Sequence, residues 1–192
     1  IVSNLAIITD IPNTVTSVIL GTRLFDTIGE VTVFTLAGLG VKILLQDEKS
    51  EKEFTGIKDK TIIQLLDLSA LLCAFLAIEL AIRGHLTPGG GFASGVSGAT
   101  AITLLMITGR IQNLEKFYFK YKAISIEKFA VVIFIVVSIL SFNSILNPSF
   151  LNFNLPQNIL IPALNIICAL KVTFGTWSII RLFVLKRGLL SK

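Results

Sequence analysis

The chain has 192 residues, of which 53% are hydrophobic and 15% charged, and its mean hydropathy is +0.82. A soluble domain with a polar surface does not carry that balance. The net charge of +5 does not mark a nucleic-acid protein either, because the lysines and arginines fall between long apolar runs and form no continuous patch.

Residues 1–25 are apolar but broken by Asp10 and Pro12, the pattern of the stub of a span followed by a short interfacial helix. Ile1 stands inside that stretch with no basic n-region and no small-residue cleavage site, so no signal peptide is expected. A bilayer core of about 30 Å requires roughly 20 apolar residues per helix. Five windows approach that length: 27–45, 62–82, 91–107, 129–146 and 159–184. The expected fold is all-α, a polytopic membrane helix bundle of about five transmembrane helices with a glycine-rich turn between the second and third. The mixed-charge run QDEKSEKEFTGIKDK at 46–60 divides the chain. It predicts a first membrane segment at 1–46, a charged linker at 47–60 and a four-helix membrane domain at 61–192, with no internal repeat.

Loops rich in lysine and arginine stay cytoplasmic. In a five-span arrangement Lys49, Lys52, Lys58, Lys60, Arg110, Lys116, Lys120, Lys122, Lys128, Arg181, Lys186, Arg187 and Lys192 share one side, and Arg23 and Arg83 lie on the other. Thirteen against two predicts a multi-pass cell-membrane protein with a cytoplasmic C-terminus.

Charged residues inside the spans are the candidates for chemistry, since each costs on the order of 2.5–3.5 kcal/mol at mid-membrane. Lys171 falls at the midpoint of the last window, too deep to snorkel comfortably. A buried lysine balanced between desolvation and a nearby carboxylate suits a proton relay; the alternative is a static ion pair locking two helices. Asp67 and Glu79 in the second window are 12 residues apart, hence about 120° apart on a helix. The residues leave open which of them faces Lys171 and which a partner subunit. Arg23, Asp26 and Glu30 share a helical face at a membrane boundary, either as a carboxylate gate with an arginine beside it or as an acidic helix start complementing the dipole.

The run RGHLTPGGGFASGVSGAT at 83–100 carries the densest local signal. Pro88 with Gly89, Gly90 and Gly91 predicts a sharp turn near membrane depth. Gly91, Gly95 and Gly98 recur at helical spacing and predict a small-residue face for close helix approach. His85 stands beside the turn, where it either passes protons or anchors the turn by hydrogen bonding. Cys73 and Cys168 sit in apolar segments and read as fillers, with no disulfide and no metal site implied. There is also no nucleophile–base pair, phosphate loop or cofactor fingerprint, so an enzyme acting alone is disfavoured and no cofactor is expected.

At GHLTPGGGFASGV, residues 84–96, the sequence resembles the MrpB (MnhB) family of antiporter subunits, in which a GH...PGGGF turn joins two membrane helices. NIICALKVTFG, residues 165–175, is similar to the final helix of archaeal members, and the two runs cover roughly residues 58–192. Arg23 to Glu30 resembles the R-x-x-D-T-x-G-E run in the C-terminal part of the large MrpA subunit. In membrane-bound hydrogenases and sulfur reductases that part is a small separate subunit beside the MrpB-like one, so the resemblance implies a fusion of neighbours. It further implies partnership with other Mrp-type membrane subunits, with or without a hydrogenase or other redox module, and movement of Na+ against H+. It places Asp26, Glu30, His85 and Lys171 at motif positions. The long lysine- and glutamate-bearing helices of the large pumping subunits are not seen, so the chain is expected to assist transport. A purely structural subunit is the competing expectation.

Overall fold

In hydrocarbon every backbone N–H and C=O must be bonded within the protein, so long apolar segments become helices. The computed structural model describes residues 11–48, 56–146 and 156–187. Helix α1 (Thr14–Ser17) runs on through a wide π-type turn at Val18–Thr22 and leads into α2 (Leu24–Leu44). Then come α3 (Lys60–Arg83), α4 (Gly91–Leu105), a second wide turn (Met106–Arg110), α5 (Ile111–Lys120), α6 (Ala123–Leu146) and α7 (Gln157–Arg187). Among the described residues five segments are long and apolar enough to cross a membrane: Leu24–Leu44, Lys60–Arg83, Gly91–Lys120, Ala123–Ser141 and Gln157–Lys186. The chain is an all-α polytopic bundle, and its exposed faces are apolar, as with Leu36, Leu39 and Ile43 on α2 or Leu65, Leu72 and Phe75 on α3.

Helix α7 is the axis of the bundle, touching α2, α3, α4 and α6. Two apolar clusters line it. One unites Ile11, Leu20, Leu24, Val31 and Phe134 with Leu164, Cys168 and Val172. The other unites Met106, Ile111, Tyr118 and Ala123 with Trp177 and Val184. The buried charge of α7, Lys171, lies within the first of these, between Cys168 and Val172.

The charge-rich segments gather at one end. Lys186 Nζ donates to the Gln46 and Glu48 carbonyls, at 3.2 and 2.8 Å, placing a cation at the C-terminal end of α2. Arg181 donates to both carboxylate oxygens of Glu115, with Nη2 2.7 Å from Oε2, and its guanidinium lies 4.6 Å from the Tyr118 ring centroid. The turn at 84–90, Arg23 and the start of α7 occupy the opposite end.

Two expectations are corrected. Segment 110–128 is not simply a charged loop: after Gly109, whose φ of 87° breaks the helix, the chain forms α5, with Ile111 and Tyr118 turned inward. Helix α6 then begins at Ala123, six residues before the expected 129, and so takes Glu127 into the bundle. The expected stub at 1–10, Lys49, Lys52, Lys192 and most of the loop at 147–158 lie outside the described residues.

Candidate functional site

The glycine-rich turn is built by its neighbours. Helix α3 ends at Arg83, whose carbonyl accepts from Leu86 and Thr87 N–H groups at 2.8 and 3.0 Å. Gly90, at φ 119°, reverses the chain into α4 with a backbone that a side chain would strain. Helix α4 then meets α7 almost backbone to backbone: a Cβ on Gly91 would stand 2.5 Å from the Asn165 carbonyl and 2.8 Å from Cys168 Cβ. Gly95 and Gly98 are closed in the same way by Val172 and Thr173. The predicted glycine face is thus the α4–α7 contact.

The turn is held from both sides. Asn165, fully buried on α7, donates from Nδ2 to the Leu80 and Ala81 carbonyls at 3.1 and 2.8 Å. Asn13 caps α1 through Oδ1 and donates from Nδ2 to the Gly84 and Thr87 carbonyls at 2.9 and 2.7 Å. The Thr16 hydroxyl adds a bond to Gly84 at 2.9 Å. The expected interfacial helix is therefore a docked one. Between these parts lies a cavity of about 150 Å³, lined among others by Thr16, Thr27, Glu30, Gly90, Phe92 and Asn165. Asn165 Oδ1 has no hydrogen-bond partner among the described residues.

Lys171 is 1% exposed, and its ammonium has no hydrogen-bond partner among the described residues. It lies 3.9 Å from the Phe34 ring centroid, a cation–π contact of the kind that gains strength when desolvated. Glu127 of α6 reaches the same stretch of α7, its Oε1 3.0 Å from where a Cβ on Gly175, one turn beyond Lys171, would stand. Glu30 lines the cavity together with Cys168, one turn from Lys171 toward the start of α7. Glu30, Lys171 and Glu127 therefore follow one another along α7 from the turn end toward the charge-rich end.

The other predicted residues are elsewhere. Neither Asp67 nor Glu79 is the carboxylate beside Lys171. Asp67 pairs with Arg110 at 2.6 Å, on the rim of an apolar groove of about 670 Å³ between α3, α4 and α7. Glu79 lies 3.6 Å from Arg83, one turn on, with both side chains exposed. Asp26 pairs with Arg23, Nε to Oδ2 at 2.7 Å, also exposed. Asn13 and Thr16 hold the turn, and the Nδ1 of His85 within it has no partner among the described residues. Glu127, which the sequence reading missed, carries one usable signal: Ile124, Ile126 and Phe129 around it continue the apolar run of α6.

A family model described as "Domain related to MnhB subunit of Na+/H+ antiporter" matches residues 61–178. Among solved structures, the chain is similar to one in the membrane-bound sulfane sulfur reductase (MBS), described as an archaeal respiratory membrane complex. The TM-score is 0.71 and the identity 22%, covering 96% of this chain and 83% of that one. The likeness at that identity is one of fold. It spans both the first segment and the bundle within a single polypeptide, where the resemblance implied two neighbouring subunits.

Proposed function

The chain belongs to the family of domains related to the MnhB subunit of Na+/H+ antiporters, and we propose that it is a membrane subunit of a Mrp-type module that moves Na+ against H+ together with partner subunits. The observation that carries this reading is the buried ammonium of Lys171, with Glu30 beside Cys168 and Glu127 beside Gly175 on either side of it along α7. A charge kept at that depth is costly unless paired or used. The ion path within this chain is read as running from Glu30 through Lys171. The described part of the first segment, residues 11–46, and that of the bundle act as one body, docked through Asn13. The basic end is assigned to the cytoplasm, by the excess of lysine and arginine there. Neighbouring Mrp-type subunits cover part of the apolar surface, and the fold shared with a respiratory complex supports attachment to a redox module such as a sulfur reductase or hydrogenase. The chain performs no catalysis of its own.

A second reading, a purely structural subunit, draws on the pairing of Asp26, Asp67, Glu79 and Glu115 with arginines. Both are tested by purifying the tagged complex in mild detergent, identifying its subunits by mass spectrometry and reconstituting it in liposomes. Transport in wild type, lost in Lys171→Met with all subunits retained, supports the first reading. Retained transport in that variant, or loss of subunits alone, supports the second.

A further inference from the structure

We propose that Glu127 and Lys171 are a proton-exchanging pair, with Phe34 and Gly175 shaping the gap between them. This rests on the reading of the chain as part of an ion-moving module and adds a residue and a cargo to it.

The geometry is specific. Gly175 lies one turn beyond Lys171 on α7, and a Cβ on it would stand 2.7 Å from Phe34 Cε1 and 3.0 Å from Glu127 Oε1. The ring from α2 and the carboxylate from α6 thus meet in the space that a side chain at 175 would fill, and that space adjoins the lysine. Phe34 stabilises an ammonium through its ring face but has no atom to take a proton. Glu127 has such an atom. An ammonium free of hydrogen bonds, resting on a ring beside a carboxylate, is poised to move between them.

The step balances. A Lys171 N–H bond breaks and leaves its electron pair on nitrogen, while a lone pair on a Glu127 oxygen forms the new O–H bond. Ammonium and carboxylate become amine and carboxylic acid, and the pair is neutral overall before and after, which suits a low-dielectric interior. What passes between the two groups in this step is a proton. Glu127 is half-buried, one turn from the start of α6, so it communicates with the charge-rich end, whereas Lys171 is closed off.

The test uses the intact complex in liposomes, with wild type, Glu127→Gln, Glu127→Asp and the double variant Glu127→Gln/Lys171→Met. Internal pH is followed by a dye, and subunit content by mass spectrometry. Glu127→Gln is expected to lower proton-coupled flux by at least about tenfold, and Glu127→Asp to recover part of it. The double variant leaves no unpaired charge, so it assembles even where a single variant does not, and it remains without flux. Infrared difference spectra after a pH step should contain a carboxylic-acid C=O band that vanishes in Glu127→Gln. Normal flux in Glu127→Gln, or flux restored in the double variant, overturns the pair and makes it a helix lock. A wild-type complex without ion movement overturns the proposed function as well.

Discussion

Asn13 donates its side-chain amide to the carbonyl of Gly84 at 2.9 Å across 71 positions of sequence, and its Oδ1 caps the helix that follows it. One residue therefore ends the glycine-turn strand of hydrogen bonds and starts α1. Asn13→Ala removes a cap and two donated bonds, a loss on the order of 2 kcal/mol. Scanning fluorimetry of the detergent-solubilised complex should record unfolding several degrees lower. Asn13→Asp keeps the cap acceptor but sets a carboxylate oxygen against the Gly84 and Thr87 carbonyls, so it should unfold at least as early as Asn13→Ala; an unchanged transition in Asn13→Ala would count against docking through this residue.

The contact of α4 with α7 gives a prediction with an internal control. Gly91→Leu drives a side chain into the Asn165 carbonyl and Cys168, and overpacking of this kind costs about 1–3 kcal/mol or more. Gly40 has nothing within 4 Å of the position a Cβ would take, so Gly40→Ala should be neutral or slightly stabilising. The yield of assembled complex on size exclusion separates them. Equal yields would mean that the α4–α7 approach is less tight than described.

Why some of this was legible and some not follows from range. The spans are local properties: apolar runs such as 62–82 and 159–184 declare themselves because nothing else satisfies their backbone in a bilayer. The α4 face was legible for the same reason, since Gly91, Gly95 and Gly98 lie at one helical spacing. The partner of Lys171 is a long-range property. Asp67 and Glu79 were the visible carboxylates within a window, and Glu127 was hidden by its setting among Lys116, Lys120, Lys122 and Lys128, which reads as a loop. The chain turns at Lys122, with φ 49°, and resumes helix at once. In α5, Ile111, Leu114 and Tyr118 do repeat at helical intervals, a signal outweighed by the charges between them.

The paired Arg181 and Glu115 should not accept a like-charged replacement. Arg181 engages both carboxylate oxygens and lies over the Tyr118 ring, itself bonded to Ser178 at 3.0 Å. Lysine cannot reproduce the fork or the stacking, so Arg181→Lys should cost on the order of 1 kcal/mol. Arg181→Met, which strands the Glu115 charge, should cost more, and Glu115→Gln/Arg181→Met should recover part of it. Thermal unfolding of wild type, Glu115→Gln, Arg181→Met and the double variant closes the cycle; strictly additive losses would argue that the two side chains act independently.

Four carboxylates separate position from charge. Glu30 lines the cavity beside the glycine turn together with Cys168, three residues before Lys171 on α7, whereas Asp26, Asp67 and Glu79 each have an arginine partner. Glu30→Gln removes the acid without changing its shape, so sodium–proton exchange by the reconstituted complex should fall by at least about tenfold if the group carries protons. Pairs on exposed faces are worth about 0–1 kcal/mol. Asp26→Asn, Asp67→Asn and Glu79→Gln should accordingly stay within about twofold of wild type, each measured against subunit content. Loss of exchange in Asp67→Asn with the complex intact would move the path to the groove between α3 and α4, and equal losses in all four would point to assembly rather than conduction.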